Sequence, residues 1–409
     1  MNNPKTTKPF HNTEIPSDWD VKVLGQLFDF KNGINAGKES YGTGVKFINV
    51  MEVIYNDSFT AEIIPGTVQI TDEQKQLYLV KNGDVLFNRT SETIDEIGLT
   101  AVYYGNEEVV FGGFVIRGRP IDKIVNDNFK KYCFRSKIVR NQIIKSGQGA
   151  VRTNIGQGDL EKVEVPLPPF PEQKIIASVL SIWDEAISKT KALISKKEQH
   201  KKWLMQNLLT GKKKLKRFEK EKWDECHLGD LFTERTETRY FDLPLLSVGA
   251  SGIYPQSDSV KKDTSNEDKS KYKRICPGDI GYNTMRMWQG RSALSELEGI
   301  VSPAYTIVIP KKNADSKFFA YLFKTPKVMN QFWRNSQGLV DDTLNCKFKD
   351  FEIVKVQLPN KKEEQTAISE VLQSADMEIQ LLKSKMEKLK EQKKGLMQIL
   401  LTGKKRLTI

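Results

Sequence analysis

Hydrophobic residues recur at alternating steps of four and three along two segments of the chain, Ile176 to Leu208 and Ile368 to Leu400. This spacing places them on one face of a long α-helix. Each segment leads into Thr-Gly and lysines, at 210–211 and 402–403, where glycine can adopt the left-handed conformation that ends a helix. The pattern predicts two helices of about 39 residues, each roughly 58 Å long at 1.5 Å per residue.

The two helical segments are copies of each other. LLTGKKKL at 208–215 recurs as LLTGKKRL at 400–407, and the same offset pairs Asp184 with Asp376. Lys197, Lys201 and Lys393 interrupt the apolar faces, and polar residues at such positions select the register and orientation of paired helices. We expect an antiparallel coiled coil, with two separate amphipathic helices, each packed on its own domain, as the alternative.

The rest of the chain repeats more faintly, in the same order. Trp19 matches Trp223, GDVLFN at 83–88 matches GDIGYN at 278–283, and the Gln-Gly pair at 148–149 matches the pair at 337–338. Strand-like runs at 109–116 and 304–309 mix with helical stretches at 129–145 and 316–333, which is typical of α/β domains. Proline-containing runs at 163–169 and 354–359 are predicted as strands that stop before each long helix.

These patterns predict an α+β fold with a pseudo-twofold internal repeat, in which two long helices separate two mixed α/β domains. The expected bounds are 1–165 for the first domain, 166–217 for the first helix, 218–357 for the second domain and 358–409 for the second helix. A chain of 409 residues is long enough for two hydrophobic cores of this size.

Composition narrows the class of protein. No run of about 18 apolar residues occurs and residues 1–16 are polar, so we expect neither a membrane helix nor a secretory signal, and a cytoplasmic location. The four cysteines are far apart and only three histidines accompany them, which favours reduced, partly buried thiols over a zinc site.

The net charge of +12 indicates a polyanionic partner, and its distribution is informative. Residues 172–217 hold 12 basic and 4 acidic side chains, and residues 364–409 hold 9 and 6, so the excess lies on the predicted helices. The globular parts are almost neutral. A sequence-specific reader of DNA needs only a few polar side chains at base edges, while the helices or partner subunits neutralise phosphates.

Catalytic motifs are missing from the sequence. Leu167-Pro168-Pro169-Phe170 resembles the Asn/Asp-Pro-Pro-aromatic loop of amino-methyltransferases, but leucine cannot accept a hydrogen bond from the target amine. No phosphate-binding loop of the G-x-x-x-x-G-K-[ST] type occurs, and no acidic nuclease cluster is evident. We therefore expect a chain without catalytic residues and without a bound metal or cofactor.

The repeated block, PLPPFPEQ at 166–173 through LLTGKKKL, resembles the conserved regions of specificity subunits of Type I restriction-modification systems. The block covers about a quarter of the chain, and the segment 283–290 (NTMRMWQG) also resembles motifs of the family's target-recognition domains. One departure is LPNKKE at 358–363, which replaces the fuller LPPFPE pattern and leaves the second docking loop less defined.

The resemblance implies a non-catalytic subunit that reads a bipartite site in double-stranded DNA, one domain per half-site. It implies that the helices set the spacing and dock two methyltransferase (modification) subunits, with restriction and translocase subunits joining through the complex. S-adenosylmethionine, ATP and Mg²⁺ are then expected on the partner subunits. The complex would be an adenine DNA methyltransferase and endonuclease used in phage defence.

Candidate DNA contacts are chosen because arginine suits guanine edges and Asn or Gln suits adenine edges. They are Asn88, Arg89, Thr90, Gln148, Arg152 and Asn154 in the first domain, and Asn283, Arg286, Gln289, Arg291 and Gln337 in the second. Candidate subunit-docking residues are Glu172, Gln173, Leu204, Gln206, Glu364, Gln365, Leu396 and Gln398.

Other functions remain open from the sequence alone. The chain could be the specificity module of a related defence system. It could also be a two-headed protein-binding scaffold, or a free-standing DNA-binding regulator that works without a methyltransferase. Stable association with methyltransferase chains and a two-part methylation site would separate a specificity subunit from a scaffold or a free-standing regulator.

Overall fold

The computed structural model describes residues 6–149, 152–249, 252–258, 265–340 and 343–407. The chain divides into two compact units. The first unit is Met1–Thr190 with Lys385–Ile409, and the second is Lys191–Ser384. Each unit therefore contains one globular part, the beginning of the long helix that follows it, and the end of the other long helix.

The first unit is built from short strands and helices. In chain order its strands are β1 (Thr7–Phe10), β2 (Thr13–Pro16), β3 (Asp20–Val23), β4 (Phe28–Asn32), β5 (Tyr41–Ile48), β6 (Ser58–Phe59), β7 (Thr67–Val68), β8 (Val85–Asn88), β9 (Thr90–Ser91), β10 (Thr100–Tyr103), β11 (Val109–Phe111), β12 (Val115–Pro120), β13 (Thr153–Asn154) and β14 (Glu164–Leu167). Its helices are α1 (Leu24–Leu27), α2 (Val50–Tyr55), α3 (Asp72–Tyr78), α4 (Asp127–Cys133), α5 (Lys137–Ser146) and α6 (Gln157–Glu161), followed by the long helix α7 (Phe170–Leu208).

The second unit is also built from short strands and helices, but it has fewer of them among the described residues. Its strands are β15 (Trp223–His227), β16 (Phe232–Glu234), β17 (Leu246–Gly249), β18 (Gly252–Pro255), β19 (Lys273–Ile275), β20 (Ile280–Asn283), β21 (Ser292–Leu294), β22 (Gly299–Val301), β23 (Tyr305–Pro310) and β24 (Lys355–Pro359). Its helices are α8 (Leu228–Leu231), α9 (Ser316–Leu322), α10 (Pro326–Asn335) and α11 (Phe348–Glu352), followed by the long helix α12 (Lys362–Leu400).

A central strand organises the main sheet of each unit. In the first unit the sheet order is β4-β12-β8-β10-β6, with only the β10–β6 pair parallel, and in the second it is β16-β23-β20-β21, entirely antiparallel. The central strands β8 and β20 are apolar, and β8 is buried along its whole length. The predicted strands before the long helices are β14 and β24, which pair with β3 and β15.

Two predicted elements are divided in the structure. The run 109–116 forms two strands in different sheets, because Gly112 and Gly113 turn the chain between β11 and β12. The stretch 316–333 forms α9 and α10, because Pro326 has no N–H to continue a helix and instead occupies the first turn of α10. The equivalent stretch 129–145 also forms two helices, because α4 ends at Cys133 and α5 begins at Lys137.

Both long helices span 39 residues, as predicted, and their apolar faces are covered within each unit. In the first unit Leu180 packs in one core cluster with Leu400, so the beginning of α7 meets the end of α12. In the second unit Leu372 packs with Leu208, so the beginning of α12 meets the end of α7. The helix segments in each unit therefore run antiparallel, which confirms the predicted pairing.

Each long helix ends at the glycine that the sequence indicated. Gly211 and Gly403 have φ of 68° and 69°. A Cβ at Gly211 would lie 3.2 Å from the Trp223 ring, and one at Gly403 would lie 3.1 Å from the Trp19 ring. The matched tryptophans of the repeat thus cover matched helix ends, Trp19 in the first unit and Trp223 in the second.

Candidate nucleic-acid interface

The repeated Gly-Asp pair fixes the start of the central strand in the first unit. Gly83 turns the chain with φ of 85°. The buried Asp84 carboxylate accepts a hydrogen bond of 2.8 Å from the Lys81 backbone N–H and one of 2.9 Å from the Arg119 guanidinium. A buried carboxylate requires such partners. This aspartate is structural, and the strand it anchors carries Asn88 at its far end.

The second unit repeats this anchor with an arginine that directly follows β16. Gly278 has φ of 93°, and the buried Asp279 accepts hydrogen bonds of 2.8 Å from the Cys276 backbone N–H and 2.7 Å from Arg235 Nε. The central strand that follows carries Asn283 at its far end. The two Gly-Asp pairs therefore anchor the starts of β8 and β20 and place Asn88 and Asn283 at equivalent far ends of these strands.

The first candidate site lies where β8 ends. Gln148 and Asn154 exchange backbone hydrogen bonds of 2.9 and 2.8 Å, which bring together the described residues 148–149 and 152–154, here called the first loop. Thr90 Oγ1 donates to Asn154 Oδ1 at 2.6 Å, and the Ile155 N–H donates to the Arg89 carbonyl at 3.0 Å. These contacts attach the first loop to the residues that follow Asn88.

Arg152 is the exposed cation of the first loop. It forms an ion pair of 3.0 Å with Glu92, and the two side chains are 58% and 77% exposed. An ion pair this exposed contributes little stability, so an incoming phosphate or base can replace Glu92 at small cost. Arg89 is held more firmly, because it is half-buried and donates to the Gly113 carbonyl at 3.2 Å.

The second candidate site begins where β20 ends. Asn283 Oδ1 accepts a hydrogen bond of 3.0 Å from the Met285 N–H, and the Asn283 N–H donates to the Arg291 carbonyl at 3.0 Å. Gly290, with φ of 73°, ends the short helical turn Met287–Gln289 that lies between them. This turn leaves Gln289 and Arg291 exposed and Arg286 half-buried.

A pair of backbone hydrogen bonds likewise brings together the described residues 337–340 and 343–345, here called the second loop. Gln337 and Asn345 exchange backbone hydrogen bonds of 2.9 and 2.8 Å, and the Cys346 N–H donates to the Thr284 carbonyl at 2.8 Å. Leu339 is fully exposed in this loop. The structure therefore brings the candidate residues of each unit together at one place, formed by the end of the central strand and the loop.

Burial distinguishes the candidate contacts from one another. Asn88 is completely buried, and its amide nitrogen donates to the Glu96 carbonyl at 3.0 Å, so its side chain lies within the fold. Thr90 and Asn283 are half-buried, with Arg89 and Arg286. The exposed candidates are Gln148, Arg152, Asn154, Gln289, Arg291 and Gln337.

The candidate docking residues at the start of each helix are buried within the units. Glu172 accepts a hydrogen bond of 3.2 Å from Trp19 Nε1, and Glu364 accepts one of 2.9 Å from Trp223 Nε1. Gln173 accepts from the Asn126 N–H at 2.8 Å and Gln365 from the Asp315 N–H at 3.0 Å. These four side chains join each long helix to its globular part.

The docking candidates at the helix ends differ in exposure. Leu204 and Leu396 are half-buried against the hydrophobic cores of the second and first unit. Gln206 and Gln398 are exposed. Of the eight candidates, these two glutamines therefore offer the most accessible side chains.

Two tyrosines with polar contacts to the long helices were not identified from the sequence. Tyr132 on α4 donates to Asp184, and Tyr321 on α9 donates to Asp376, each at 2.6 Å. The aspartates are visible as a matched pair, but the tyrosines are related by a different offset because the globular parts differ in length. Each tyrosine lies six residues after the helix-capping residue, Asn126 or Asp315.

The cysteines are free thiols, with Cys133 and Cys346 buried and Cys226 and Cys276 half-buried, as predicted. Burial raises the pKa of Cys226 to about 11 and that of Cys346 to about 12. Among the described residues, no group of three or more His, Cys, Asp or Glu side chains is arranged to hold a metal ion. No helix within those residues is long and apolar enough to cross a membrane.

Comparison with known proteins gives a family match for both halves of the chain. The model of the type I restriction modification DNA specificity domain matches residues 16–198 and again 220–391. A putative type I restriction enzyme MjaX specificity subunit of Methanocaldococcus jannaschii is 27% identical, over 96% of this chain and 95% of its own length.

Two solved structures share the fold. The type I restriction-modification S subunit from M. genitalium has a TM-score of 0.54 at 16% identity and covers 98% of this chain and 99% of its own. A chain from a structure of type I R-M complex assembly and conformational transition has a TM-score of 0.60 at 15% identity, covering 97% of this chain and 100% of its own.

The duplicated domain match, together with the duplicated surface sites, defines a protein with two DNA specificity domains. The chain belongs to the family of type I restriction-modification DNA specificity proteins. It is a specificity subunit, which recognises DNA and is not itself the catalytic component. The α+β fold with two domains and two long helices is the one the sequence predicted.

Proposed function

We propose that each unit reads one half of a bipartite site in double-stranded DNA. The observation that carries this proposal is the duplicated surface site, in which each central strand ends beside the first or the second loop as described above. Two such sites on one chain suit two separate half-sites. A single recognition surface would not require the second copy.

Base contacts are assigned to the exposed polar side chains of these sites. Arginine can donate two hydrogen bonds to a guanine edge, and Asn or Gln can pair with adenine through both its donor and its acceptor. Arg152 supplies such a group in the first unit, where both ends of the Asn154 amide are hydrogen-bonded within the fold, and Arg291 and Gln289 supply them in the second. Arg89 and Arg286, which are half-buried, are assigned to the edges of the two interfaces.

The long helices are assigned to subunit docking. Their exposed faces carry isolated apolar side chains, Ile182 on α7 with Met377 and Leu381 on α12, each more than 60% exposed. Exposed apolar side chains can enter the core of a protein–protein interface when a partner covers them. Because the helices are copies, we propose that two methyltransferase (modification) subunits dock, one on each copy, with Gln206 and Gln398 at the contacts.

The chemistry of the complex is assigned to the partners. S-adenosylmethionine would bind the modification subunits, and ATP and Mg²⁺ would bind the restriction and translocase subunits that join through the complex. This chain would contribute recognition and spacing. Adenine methylation at both half-sites is the expected product.

Methylome sequencing tests the proposal. A host lacking the system would express the neighbouring methyltransferase subunit with and without this chain. A split adenine-methylation motif that appears only with this chain is the expected result. A stable complex that produces no such motif would contradict the proposal and favour a protein-binding scaffold.

An exchange of globular parts makes the assignment to half-sites testable. Replacing residues 1–165 with the corresponding part of a relative should change one half of the motif and leave the other half unchanged. A relative with known specificity provides the reference motif. Loss of both halves while the complex still assembles would contradict the assignment of one unit to each half-site.

A further inference from the structure

Each unit contains a polar cluster that joins both long helices to the globular part. The first charge cluster consists of Asp184 on α7, Lys393 on α12 and Tyr132 on α4. Tyr132 Oη donates to Asp184 Oδ2 at 2.6 Å, the Lys393 ammonium forms an ion pair with Asp184, and it also lies 5.4 Å from the centre of the Tyr132 ring. Three elements therefore meet at one carboxylate.

The second charge cluster repeats these three contacts with the helices exchanged, whereas in the first Lys131 also pairs with Asp184 and Lys393 also pairs with Asp57. It consists of Asp376 on α12, Lys201 on α7 and Tyr321 on α9. Tyr321 Oη donates to Asp376 Oδ2 at 2.6 Å, Lys201 Nζ lies 2.5 Å from Asp376, and Lys201 lies 5.4 Å from the centre of the Tyr321 ring. The lysines are two of the residues that interrupt the apolar helix faces.

The electrostatics favour charged hydrogen bonds in both clusters. Burial alone would raise the pKa of Asp184, but hydrogen bonds from Lys393 and Tyr132 lower it to below its ordinary range. Burial raises the pKa of both phenols, so Tyr132 and Tyr321 remain protonated donors at neutral pH. Hydrogen bonds to an ionised acceptor are about twice as strong as neutral ones.

Each globular part has a second attachment to the same helix. The Asn126 N–H, at the cap of α4, donates to Gln173 on α7 at 2.8 Å. Gln173 and Asp184 are eleven residues apart, which corresponds to about 16 Å along a helix. Two attachments this far apart fix the direction of α4 along α7, whereas one attachment would leave it free to pivot.

We infer that the two charge clusters are positioning devices that hold each DNA-reading part at one orientation on the helix pair and so restrict the protein to a single gap length. This inference rests on the proposed bipartite function. One base pair adds about 3.4 Å to the distance between half-sites. A rotation of a globular part on the helices that moves its loop by that distance would therefore allow methylation of sites whose gap is one base pair longer or shorter.

Matched lysine variants test the inference in the complete methyltransferase complex. Lys201→Met and Lys393→Met, singly and together, remove the ammonium but retain the length of the side chain. Lys201→Arg and Lys393→Arg retain the charge. Lys383→Met is the control, because Lys383 forms a 2.6 Å ion pair with Glu198 between the same two helices, but both side chains are about half exposed.

The readout is the set of gap lengths among methylated sites. Wild-type and Lys383→Met complexes should methylate one gap length. The methionine variants should methylate sites with gaps one base pair longer or shorter about tenfold more often, with both half-site sequences unchanged, because loss of a partly buried ion pair releases the constraint. The arginine variants should restore the single gap.

Tyr321→Phe provides a milder test if the methionine variants fail to assemble. It removes only the hydrogen bond to Asp376 and should relax the gap in the same direction. A single gap length in Tyr321→Phe and in every assembled methionine variant would overturn the inference. Equal relaxation by Lys383→Met, or altered bases within a half-site, would also overturn it.

The same experiment separates this inference from the proposed function. An assembled wild-type complex that yields no two-part motif would reject the bipartite function, and the inference with it. A wild-type motif with a fixed gap that every variant retains would reject only the positioning role of the two charge clusters.

Discussion

Arg406 donates two hydrogen bonds of 2.7 Å to Glu172, through Nε and Nη2. It also forms an ion pair of 2.8 Å with Asp18, which ties residues near the two ends of the described chain together. The equivalent position in the second unit is Lys214, which donates to the Glu221 carbonyl instead. One oxygen of the buried Glu364 carboxylate is left without a hydrogen-bond partner.

Glu172→Gln should destabilise the first unit. The substitution removes the charge and one of the two acceptor oxygens from a buried, bidentate pair and leaves Asp18 as the remaining anionic partner of Arg406, at a cost of about 2 kcal/mol. Thermal unfolding of the purified chain at neutral pH should show a lower midpoint. Glu185→Gln is the control, because Glu185 is exposed and pairs only with Lys189. Equal unfolding midpoints of the Glu172→Gln and Glu185→Gln variants would contradict a stabilising role for the Arg406–Glu172 pair.

Lys214→Arg should stabilise the second unit. Burial raises the pKa of Glu364, and an arginine at 214 would supply the donor that its free oxygen lacks, for a gain of about 1 kcal/mol. The gain requires the ionised carboxylate. It should therefore be full at pH above the raised pKa of Glu364 and decrease as pH falls through that value.

Thermal melts between pH 4 and pH 8 measure this gain, with Glu364→Gln as the background. The arginine should stabilise the parent chain and leave the Glu364→Gln chain unchanged. A gain that persists in the Gln background, or that grows towards low pH, would show that arginine acts on another group.

Gly149→Ala should impair reading of one half-site with little change in global stability. Gly149 has φ of 124°, and a Cβ there would lie 2.1 Å from the Arg152 carbonyl, so alanine must distort the first loop. Methylome analysis should show loss or relaxation of one half of the motif. Gly158→Ala is the control, because a Cβ at Gly158 meets nothing within 4 Å.

Gly338→Ala should have the equivalent effect on the other half of the motif, since a Cβ there would lie 2.7 Å from the Thr343 carbonyl. If both glycine variants altered the same half-site, or neither altered any, the two loops would not be the reading elements of separate units.

Arg152→Ala and Asn88→Ala should separate recognition from folding. Arg152 is exposed, so its loss should weaken DNA binding and reduce the salt dependence of binding by about one phosphate contact, or relax one base by about 1–3 kcal/mol. Asn88 is buried and bonded to Glu96, so its loss should lower stability by about 1–3 kcal/mol without changing the motif.

Fluorescence anisotropy with the assembled complex over a range of salt concentrations measures the first effect, and thermal unfolding measures the second. A changed motif in Asn88→Ala, with Arg152→Ala unaffected in binding, would reverse the assignment of the two residues.

Features that depend on local periodicity and repetition could be predicted from the amino-acid order alone. Alternating steps of four and three defined the two long helices, the matched blocks defined the duplication, and Gly211 and Gly403 marked the helix ends. Helix periodicity and glycine termination act over neighbouring residues, so they are visible without knowledge of the fold.

The accessibility of individual polar residues could not be predicted in this way, because it depends on the packing of the fold. Asn88, Glu172 and Gln173 resemble surface residues in the sequence, but contacts with distant segments bury them. Tyr132 reaches Asp184 across more than 50 residues of chain, and no local pattern records that approach. Burial and long-range hydrogen bonding depend on how sheets and helices pack, and this packing separated the structural side chains of the repeat from those left free to meet DNA.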